Sequence, residues 1–349
     1  MMNKTEKNSV YIIAEMSANH AGKLENALEI VRQAKKVGAD CVKIQTYTAD
    51  TITIPCEKPD FIIRGGLWDG YTYYDLYRQA YTPWEWQKEI KDECERIGID
   101  FLSTPFDNTA VDFLENLHVD AYKIASYELI DIPLIKYTAR KGKKMIISCG
   151  MGSKDEIQDA IDACVSEGND QIVLLKCCSE YPATVEDMNL KLIPQMIRDF
   201  GVVVGLSDHS KGYEAAVLAV AAGARVIEKH VMLDKSDDNP DKGFSMTMSE
   251  FKELVENIRR TERIMGSGVY SLSETENSGK KGRRSLYVVK PMKRGDIFTS
   301  ENVRSIRPGF GMPPKYLDDI LGKKATCDIE YGTALTKEMV GVHKWNDYL

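Results

Sequence analysis

Two neighbouring stretches decide the fold: GLSDHS at residues 205–210 and ARVIEKHVM at residues 224–232. Each reads as a short apolar strand whose last residues are polar, and each of these polar ends contains a histidine, His209 in the first and His230 in the second. Strands that are neighbours in sequence usually lie side by side in a parallel sheet, so the two imidazoles are expected to converge and could bind one metal ion. Two histidines alone leave a second interpretation open, in which they only orient other groups through hydrogen bonds.

The rest of residues 11–265 alternates short apolar runs with longer amphipathic ones, which is typical of βα units on a parallel sheet. Strands are predicted at residues 11–16, 41–46, 100–105, 121–126, 144–149, 172–177, 202–206 and 225–231. Helical runs include residues 24–37, 83–97, 111–117, 154–165, 214–222 and 249–265. Eight alternations over roughly 255 residues predict an α/β fold, a (β/α)8 TIM barrel, in which catalytic groups gather at the C-terminal ends of the strands.

Nearly every predicted strand ends in polar or charged side chains. They are Glu15, Ser17 and Asn19; Lys43 and Gln45; Ser103 and Thr104; Lys123 and Ser126; Ser148; Lys176 and Ser179; Ser207, Asp208 and His209; and Glu228 and His230. A charge inside an apolar run is costly unless it is paired or used, and a purely structural core would not repeat that cost so often. Each residue alone is equally consistent with a paired core position, but together they predict an active site.

Two segments interrupt the alternation. Residues 49–79, rich in aromatic residues and glycine, follow the second strand and are interpreted as a lid or specificity loop over the catalytic face, with a surface hairpin between subunits as the alternative. Residues 234–244 (DKSDDNPDKGF) follow the last strand and are interpreted as an active-site loop, because they lack the spacing and closing glutamate of a calcium-binding EF-hand.

Small polar residues dominate residues 266–283, which predicts a linker between residues 1–265 and a second domain at residues 284–349. Strand-like runs at residues 285–289, 297–306 and 325–329 indicate that this domain is small and β-rich. Its RPGFGMPP segment presents Arg307, whose guanidinium suits a carboxylate or amide oxygen.

Composition narrows the class of protein. A net charge of −7 argues against a nucleic-acid surface, and no apolar run approaches the ~18 residues of a membrane span. Eight cysteines without a CxxC pair, and no secretory leader, predict reduced thiols in a cytoplasmic protein.

Lysines and hydroxyls at the strand ends suit a small anionic substrate that carries phosphate and carboxylate groups. The chain has no Walker loop and no GxGxxG, which argues against a nucleotide. A divalent ion held by two histidines would keep open positions and could polarise a carbonyl group. The combination suggests carbon–carbon bond formation between an enol phosphate and an aldehyde.

The motifs, taken in order, resemble the N-acetylneuraminate synthase family of sialic acid synthases over essentially the whole chain. They are AEMSANHAG, VKIQTY, FLSTPFD, AYKIASYE, IISCGM, CSEYPAT, GLSDHS and RVIEKHVM, and the tail that begins RRSLYVVKPMKRGD is similar to the antifreeze-like (SAF) domain. Within the family, FIIRGGLWDG, LYRQAYTPWEW and AEMSANH are most similar to the pseudaminic acid synthase branch.

The resemblance implies condensation of phosphoenolpyruvate with an open-chain N-acetylated sugar, which for this branch is 2,4-diacetamido-2,4,6-trideoxy-L-altrose. It also implies a domain-swapped homodimer. By motif, His209 and His230 would bind Mn²⁺ or Mg²⁺, and Glu15, Glu228 and Lys123 would be catalytic. The phosphoenolpyruvate contacts would be Lys43, Thr104, Lys123, Ser126, Ser148, Ser179 and Ser207. The sugar contacts would be Glu15, Gln45, Tyr181, Asp241 and, across the dimer interface, Arg307.

The sequence leaves three alternatives to this function open. Other family members would use N-acetylmannosamine or the D-manno diacetamido sugar, giving N-acetylneuraminate or legionaminate. A Schiff-base aldolase would use Lys176 as its nucleophile, since a desolvated lysine has a lowered pKa. A sugar-binding protein without catalytic activity is the third, and the retained histidines and lysines speak against it.

Overall fold

Eight parallel strands form the first part of the chain and close on themselves. They are β1 Tyr11–Glu15, β2 Cys41–Thr46, β3 Asp100–Pro105, β4 Ala121–Ile124, β5 Lys144–Ser148, β6 Ile172–Cys177, β7 Val203–Asp208 and β8 Val226–Met232. In this computed structural model, which describes residues 9–233 and 238–341, β1 pairs in parallel with both β2 and β8. The sheet is therefore a closed barrel, and the predicted TIM-barrel fold is confirmed.

Helices follow the strands and cover the barrel, and most of them are amphipathic. They are Leu24–Val37, Trp84–Ile97, Asn108–Asn116, Ile132–Ala139, Lys154–Ser166, Leu192–Phe200, Glu214–Ala221 and Met248–Met265. The third begins three residues before its predicted start because the Asp107 side chain accepts hydrogen bonds from the backbone of Thr109 and Ala110 and caps the helix. The apolar pattern located the helix, but the cap determines its first turn.

The inward-facing side chains of the strands fill the barrel with apolar groups. This set, which we call the interior plug, consists of Tyr11, Ile13, Cys41, Leu102, Ala121, Ile146, Val173, Leu175 and Val226. Outward-facing residues of the same strands, such as Ile12 and Leu206, pack against the helices instead. Because side chains alternate along a strand, the next inward positions towards each C-terminus lie directly above the plug.

The insertion after β2 is helical where the sequence predicted a loop or hairpin. It contains the helices Ala49–Ile52 and Tyr73–Ala80, with a single bridge between Ile62 and Thr72. After β8, the short strand β9 Met246–Thr247 pairs with β8. Residues 234–237 of the predicted active-site loop lie outside the described residues.

The chain divides into two compact units, residues 1–266 and 267–349. In the second unit, β10 Ser285–Val288 and β11 Val303–Ile306 pair in antiparallel fashion, and the helices are Glu274–Gly279, Leu317–Ile320 and Lys337–Val340. The first of these helices lies within the segment predicted to be a linker.

The predicted strand at residues 325–329 is wrong, because this segment makes only an isolated bridge through Ile329. Leu286, Val288, Phe298, Val303 and Leu335 form much of this unit's own core.

No helix of the described residues is long and apolar enough to cross a membrane.

Gly205 on β7 leaves the space that the interior plug needs. A β-carbon added there would lie 2.3 Å from the Val226 carbonyl oxygen and 2.7 Å from Cδ2 of Leu175. Because a backbone carbonyl in a closed barrel cannot move aside, we expect Gly205→Ala to lower the free energy of unfolding by about 2–3 kcal/mol in urea denaturation. Val203→Ala on the same strand, where the valine is 38% exposed, is the control and should cost less than about 1 kcal/mol. Equal losses in the two variants would contradict this account.

Candidate active site

A buried polar layer lies directly above the interior plug. Each strand contributes its next inward residue, which lies two positions beyond the last plug residue. On β7, which has no plug residue, the position is counted from Gly205. We call this set the strand-end layer, and its members are Glu15, Lys43, Thr104, Lys123, Ser148, Cys177, Ser207 and Glu228. All of them are at least nine-tenths buried. Seven of the eight are predicted site residues, so the barrel does bring together side chains that are more than two hundred residues apart in sequence.

Lys43 is the centre of the ionic half of this layer. Its Nζ lies 2.9 Å from Oε2 of Glu15 and 3.6 Å from Oε2 of Glu228, and it donates a hydrogen bond to Thr104 at 3.3 Å. Gln45 donates to Oε1 of Glu15 at 3.1 Å, and Ser207 donates to Oε1 of Glu228 at 2.9 Å. One ammonium group thus joins the two predicted catalytic carboxyl groups.

The two carboxyl groups have different protonation behaviour. Burial raises the pKa of Glu15 to about 7, an effect that the ion pair with Lys43 only partly offsets. Burial acts in the same direction on Glu228, but Lys123 and Lys43 together outweigh it and lower the pKa of that carboxyl group. Two neighbouring carboxyl groups whose pKa values are pushed apart are suited to opposite roles in acid–base chemistry. Glu15 can supply a proton near neutral pH, whereas Glu228 is ionised.

Lys123 and four small residues form a cradle at β4, β5 and β6. Lys123 Nζ donates to Ser148 Oγ at 2.6 Å and to the Ile124 carbonyl at 2.9 Å. The backbone N–H of Gly150 donates to Ser126 Oγ at 3.0 Å, and a β-carbon at Gly150 would lie 2.1 Å from Ser179 Oγ. Three hydroxyls, one ammonium group and one backbone amide therefore surround a space that is kept open by a glycine. This chemistry matches a phosphate or carboxylate group.

The two histidines converge as predicted, with ring centroids 5.3 Å apart. The Nδ1 atom of His209 lies 2.9 Å from the Cys178 carbonyl oxygen, which can accept a hydrogen bond from a protonated Nδ1 and so leave Nε2 free to bind a ligand. Nδ1 of His230 is buried and has no hydrogen-bond partner among the described residues; Asp241 Oδ2 is 3.7 Å away. Burial, with the neighbouring His209, holds the pKa of His230 well below its ordinary value, and the neutral imidazole is the form that binds metals.

These features fit a divalent ion held by two imidazoles. No group of three or more histidine, cysteine, aspartate or glutamate side chains within residues 9–233 and 238–341 is arranged to hold a metal. An ion bound at His209 and His230 would therefore complete its coordination with water or substrate oxygens.

Above the strand-end layer, a cavity of about 550 Å³ is bounded largely by aromatic side chains. Tyr181 lies 4.3 Å from His209 and 5.7 Å from Trp68, ring centroid to ring centroid, and Trp68 donates to the Pro240 carbonyl at 3.0 Å. Asp241 accepts a hydrogen bond from the Ala18 backbone at 3.3 Å. Gln45, Tyr181 and Asp241, three of the predicted sugar contacts, all line this cavity.

One predicted residue of the first unit is not part of this assembly. Lys176 lies on β6 between Leu175, which belongs to the plug, and Cys177, so its side chain is on the outward face, where it donates to the Cys177 carbonyl at 3.1 Å. That orientation disfavours an aldolase nucleophile, although burial does lower the pKa of Lys176. Arg307 lies directly after β11 in the second unit.

Besides Cys177 of the strand-end layer, sequence reasoning missed three contributors to the site. Trp68 and Phe244 were quoted only as parts of loops, yet both line the cavity. Glu128 also lines it, with a buried Oε2 that has no hydrogen-bond partner among the described residues, and burial raises its pKa to about 7. It lies on the 3₁₀ helix Ser126–Glu128, two residues past the predicted strand end at Ser126, in the AYKIASYE motif. Extending the search by one turn would have added it to the candidates, but only its burial distinguishes it from a surface glutamate.

Comparisons with known proteins agree with this geometry. The profile of the NeuB family matches residues 30–270, and that of the SAF domain matches residues 283–341. A pseudaminic acid synthase of Campylobacter jejuni is 48% identical over 93% of this chain and 95% of the relative, and one of Helicobacter pylori is 40% identical over 94% and 96%. The crystal structure of an N-acetylneuraminic acid synthetase from Leptospira borgpetersenii in complex with citrate matches with a TM-score of 0.70 and 30% identity, over 77% of this chain and 90% of that one.

The cradle predicts a specific effect of substitution at Gly150. In Gly150→Ala the new methyl group would collide with Ser179 Oγ and, at 2.8 Å, with Ser126 Oγ, so the hydroxyls must move out of the anion-binding position. Loss of one or two charge-assisted hydrogen bonds is expected to weaken binding of the anionic substrate about 10- to 100-fold, with little change in melting temperature. Isothermal titration with phosphoenolpyruvate checks this. Ser179→Ala, which removes one hydroxyl without adding bulk, is the matched control and should weaken binding less; equal affinities would contradict the steric account.

Glu128 predicts a pH dependence of stability. Because its pKa is raised from 4.5 to about 7 in the folded chain, the folded state binds more protons than the unfolded state between those values. Burial of Glu128 therefore does not lower the free energy of unfolding at pH 4. The loss of unfolding free energy grows as pH rises to about 7 and is constant above that. The free energy of unfolding of Glu128→Gln should exceed that of the parent by on the order of 1–2 kcal/mol at pH 8 and by little at pH 5. Urea unfolding of both proteins at the two pH values measures the difference, and a pH-independent difference would contradict the assignment.

Proposed function

The chain belongs to the NeuB family, and we propose that it is a pseudaminic acid synthase. It condenses phosphoenolpyruvate with 2,4-diacetamido-2,4,6-trideoxy-L-altrose and water to give pseudaminic acid and phosphate. The observation that carries this proposal is the close and nearly full-length identity with the Campylobacter pseudaminic acid synthase. The strand-end layer supplies what the reaction needs, namely two ammonium groups for an anionic substrate and two carboxyl groups with separated pKa values.

In the proposed reaction, the phosphate and carboxylate of phosphoenolpyruvate bind between Lys43 and Lys123. The hydroxyls of Thr104, Ser126, Ser148, Ser179 and Ser207 complete its hydrogen bonds. Each buried lysine offers a fixed positive charge in a space from which water is excluded, where electrostatic attraction is strong. Carbon 3 of the enol phosphate then attacks the aldehyde carbon, water adds at carbon 2, and phosphate leaves.

The sugar binds in the cavity above, against Gln45, Tyr181 and Asp241. A divalent ion, Mn²⁺ or Mg²⁺, bound by His209 and His230 would polarise the aldehyde oxygen as a Lewis acid. Glu15, with its raised pKa, donates a proton to the oxygen that becomes an alkoxide. Glu228, which is ionised, faces the positive charge that develops at carbon 2 and accepts a proton from the attacking water.

We also propose that the chain forms a homodimer and is located in the cytoplasm. Tyr127, Ile130, Met151 and Val185 are all more than half exposed and follow β4, β5 and β6, so they surround the open end of the barrel. An apolar rim of this kind fits a cover supplied by the second unit of a partner chain. In that arrangement the partner's copy of Arg307 would reach an acetamido oxygen of the sugar.

Another sugar is the main alternative. N-Acetylmannosamine or the D-manno diacetamido isomer would use the same chemistry, and the product would then be N-acetylneuraminate or legionaminate. Each hydroxyl or amide left without a partner by the wrong isomer costs about 1–3 kcal/mol, so a few contacts are enough to select one sugar.

The direct test is phosphate release from phosphoenolpyruvate with Mn²⁺, measured separately with the L-altro diacetamido sugar, its D-manno isomer and N-acetylmannosamine. We expect turnover with the L-altro sugar at least about 100-fold above the others in kcat/KM. Preference for another sugar would retain the family chemistry and refute the pseudaminic assignment. No release with any sugar would refute the synthase itself.

His209→Ala tests the role of the histidine pair. We expect kcat to fall at least about 100-fold while the melting temperature changes little, because loss of one of two protein ligands removes most of the metal affinity. The matched control is His118→Asn, at an exposed histidine outside the strand-end layer and the cavity. Asparagine is chosen because residue 118 has φ 54°, which it tolerates. Unchanged turnover in His209→Ala would refute the metal role.

A further inference from the structure

A buried ion pair lies directly behind the histidine pair, on the opposite face of the same two strands. Lys229 of β8 and Asp208 of β7 are register partners, and Nζ of Lys229 lies 2.8 Å from Oδ2 of Asp208. Both side chains are 0% exposed. They point away from the strand-end layer, so they take no part in the chemistry proposed above.

The ion pair also contacts Ser210, the second residue after β7. Oδ1 of Asp208 accepts hydrogen bonds from the backbone N–H of Ser210 at 2.9 Å and from its hydroxyl at 2.7 Å, and Lys229 Nζ also donates to the Ser210 carbonyl. The residues on both sides of His209 are therefore tied to one ion pair. The His209 carbonyl itself accepts from the Ala183 backbone at 3.0 Å, so the whole peptide segment is fixed.

Stability alone does not explain two charges in this position. Replacing a fully buried ion pair with apolar side chains of similar volume is usually neutral or stabilising, because each charge loses its hydration. The neighbouring outward positions Leu206 and Ile227 are indeed apolar. The charged pair instead fixes the backbone at residues 208–210.

We infer that Lys229 and Asp208 are positioning residues that hold His209 in the orientation needed to bind a divalent ion together with His230. The inference rests on the proposed function, since it takes the histidine pair to be the metal site. It assigns to Lys229 a role that its outward face on the strand would not suggest. Partners that orient a metal ligand typically change metal affinity 10- to 100-fold when they are removed.

The experiment is calorimetric titration of the full chain with Mn²⁺ in the absence of substrates, together with urea unfolding. Lys229→Met should lose both stability and Mn²⁺ affinity, since it leaves Asp208 buried and unpaired. The double variant Asp208→Leu/Lys229→Met should recover part of the lost stability, because no unpaired charge remains buried, while Ser210 still lacks its partners. Mn²⁺ should still bind about 10- to 100-fold more weakly than to the parent. If the pair had only a structural role, Mn²⁺ affinity would recover together with stability.

Arg259→Met is the matched control. Arg259 makes a 2.8 Å ion pair with Asp40, which is buried like Asp208 but lies at the start of β2 rather than at the strand ends. This variant should lose stability and keep the parent Mn²⁺ affinity. If the double variant binds Mn²⁺ as the parent does, or if Arg259→Met weakens binding equally, the inference is overturned.

A failure of the proposed metal site is distinguishable from a failure of this inference. If the parent chain binds Mn²⁺ no better than His209→Ala does, the metal site is refuted and the inference falls with it. If the double variant does not fold, Ser210→Ala, which removes only the 2.7 Å hydroxyl contact with Asp208, gives the same test. Its expected loss of Mn²⁺ affinity is about threefold, and an unchanged affinity would again overturn the inference.

Discussion

The first unit depends on one contact, the ion pair between Lys43 and Glu15 directly above the interior plug. A closed eight-stranded barrel forces the inward side chains into layers, and the layer above the plug contains four charged groups that are almost fully buried. Such a layer is stable only if the charges are mutually paired. Lys43 satisfies that condition by contacting both carboxyl groups, and partial protonation of Glu15 leaves a net positive charge that an anionic substrate can neutralise.

The sequence predicted the fold and most of the strand-end layer because both have a strong local signal. Polar residues at the ends of apolar β runs stand out, and strand alternation then assigns Lys43 with Gln45, and Glu228 with His230, to common faces. The same signal does not say which face is the inner one. In the sequence Lys176 and Ser103 look identical to the members of the strand-end layer, but they lie on the outer face, where Ser103 contacts Thr46 at 2.6 Å.

Other parts of the site required three-dimensional information. The role of Gly150 depends on how closely Ser126 and Ser179 approach, and these residues come from two other strand ends. Glu128 has no unusual sequence context, and only its burial against the cavity reveals it. The helical content of the insertion escaped prediction because its two helices are short and glycine-rich sequence separates them. Arg307 belongs to the second unit, and its proposed contact belongs to a dimer.

The interior plug also determines the order of events in the cavity. Because apolar side chains fill the barrel below the strand-end layer, reactants can enter and leave only at the C-terminal end of the strands. Lys43, Thr104 and Lys123 lie at the bottom of this one-ended space, whereas Tyr181 and Gln45 are partly exposed nearer its opening. A reactant held by the lower groups must arrive before one held by the upper groups. For the proposed reaction, this one-ended space favours an order of binding in which the enol phosphate precedes the sugar.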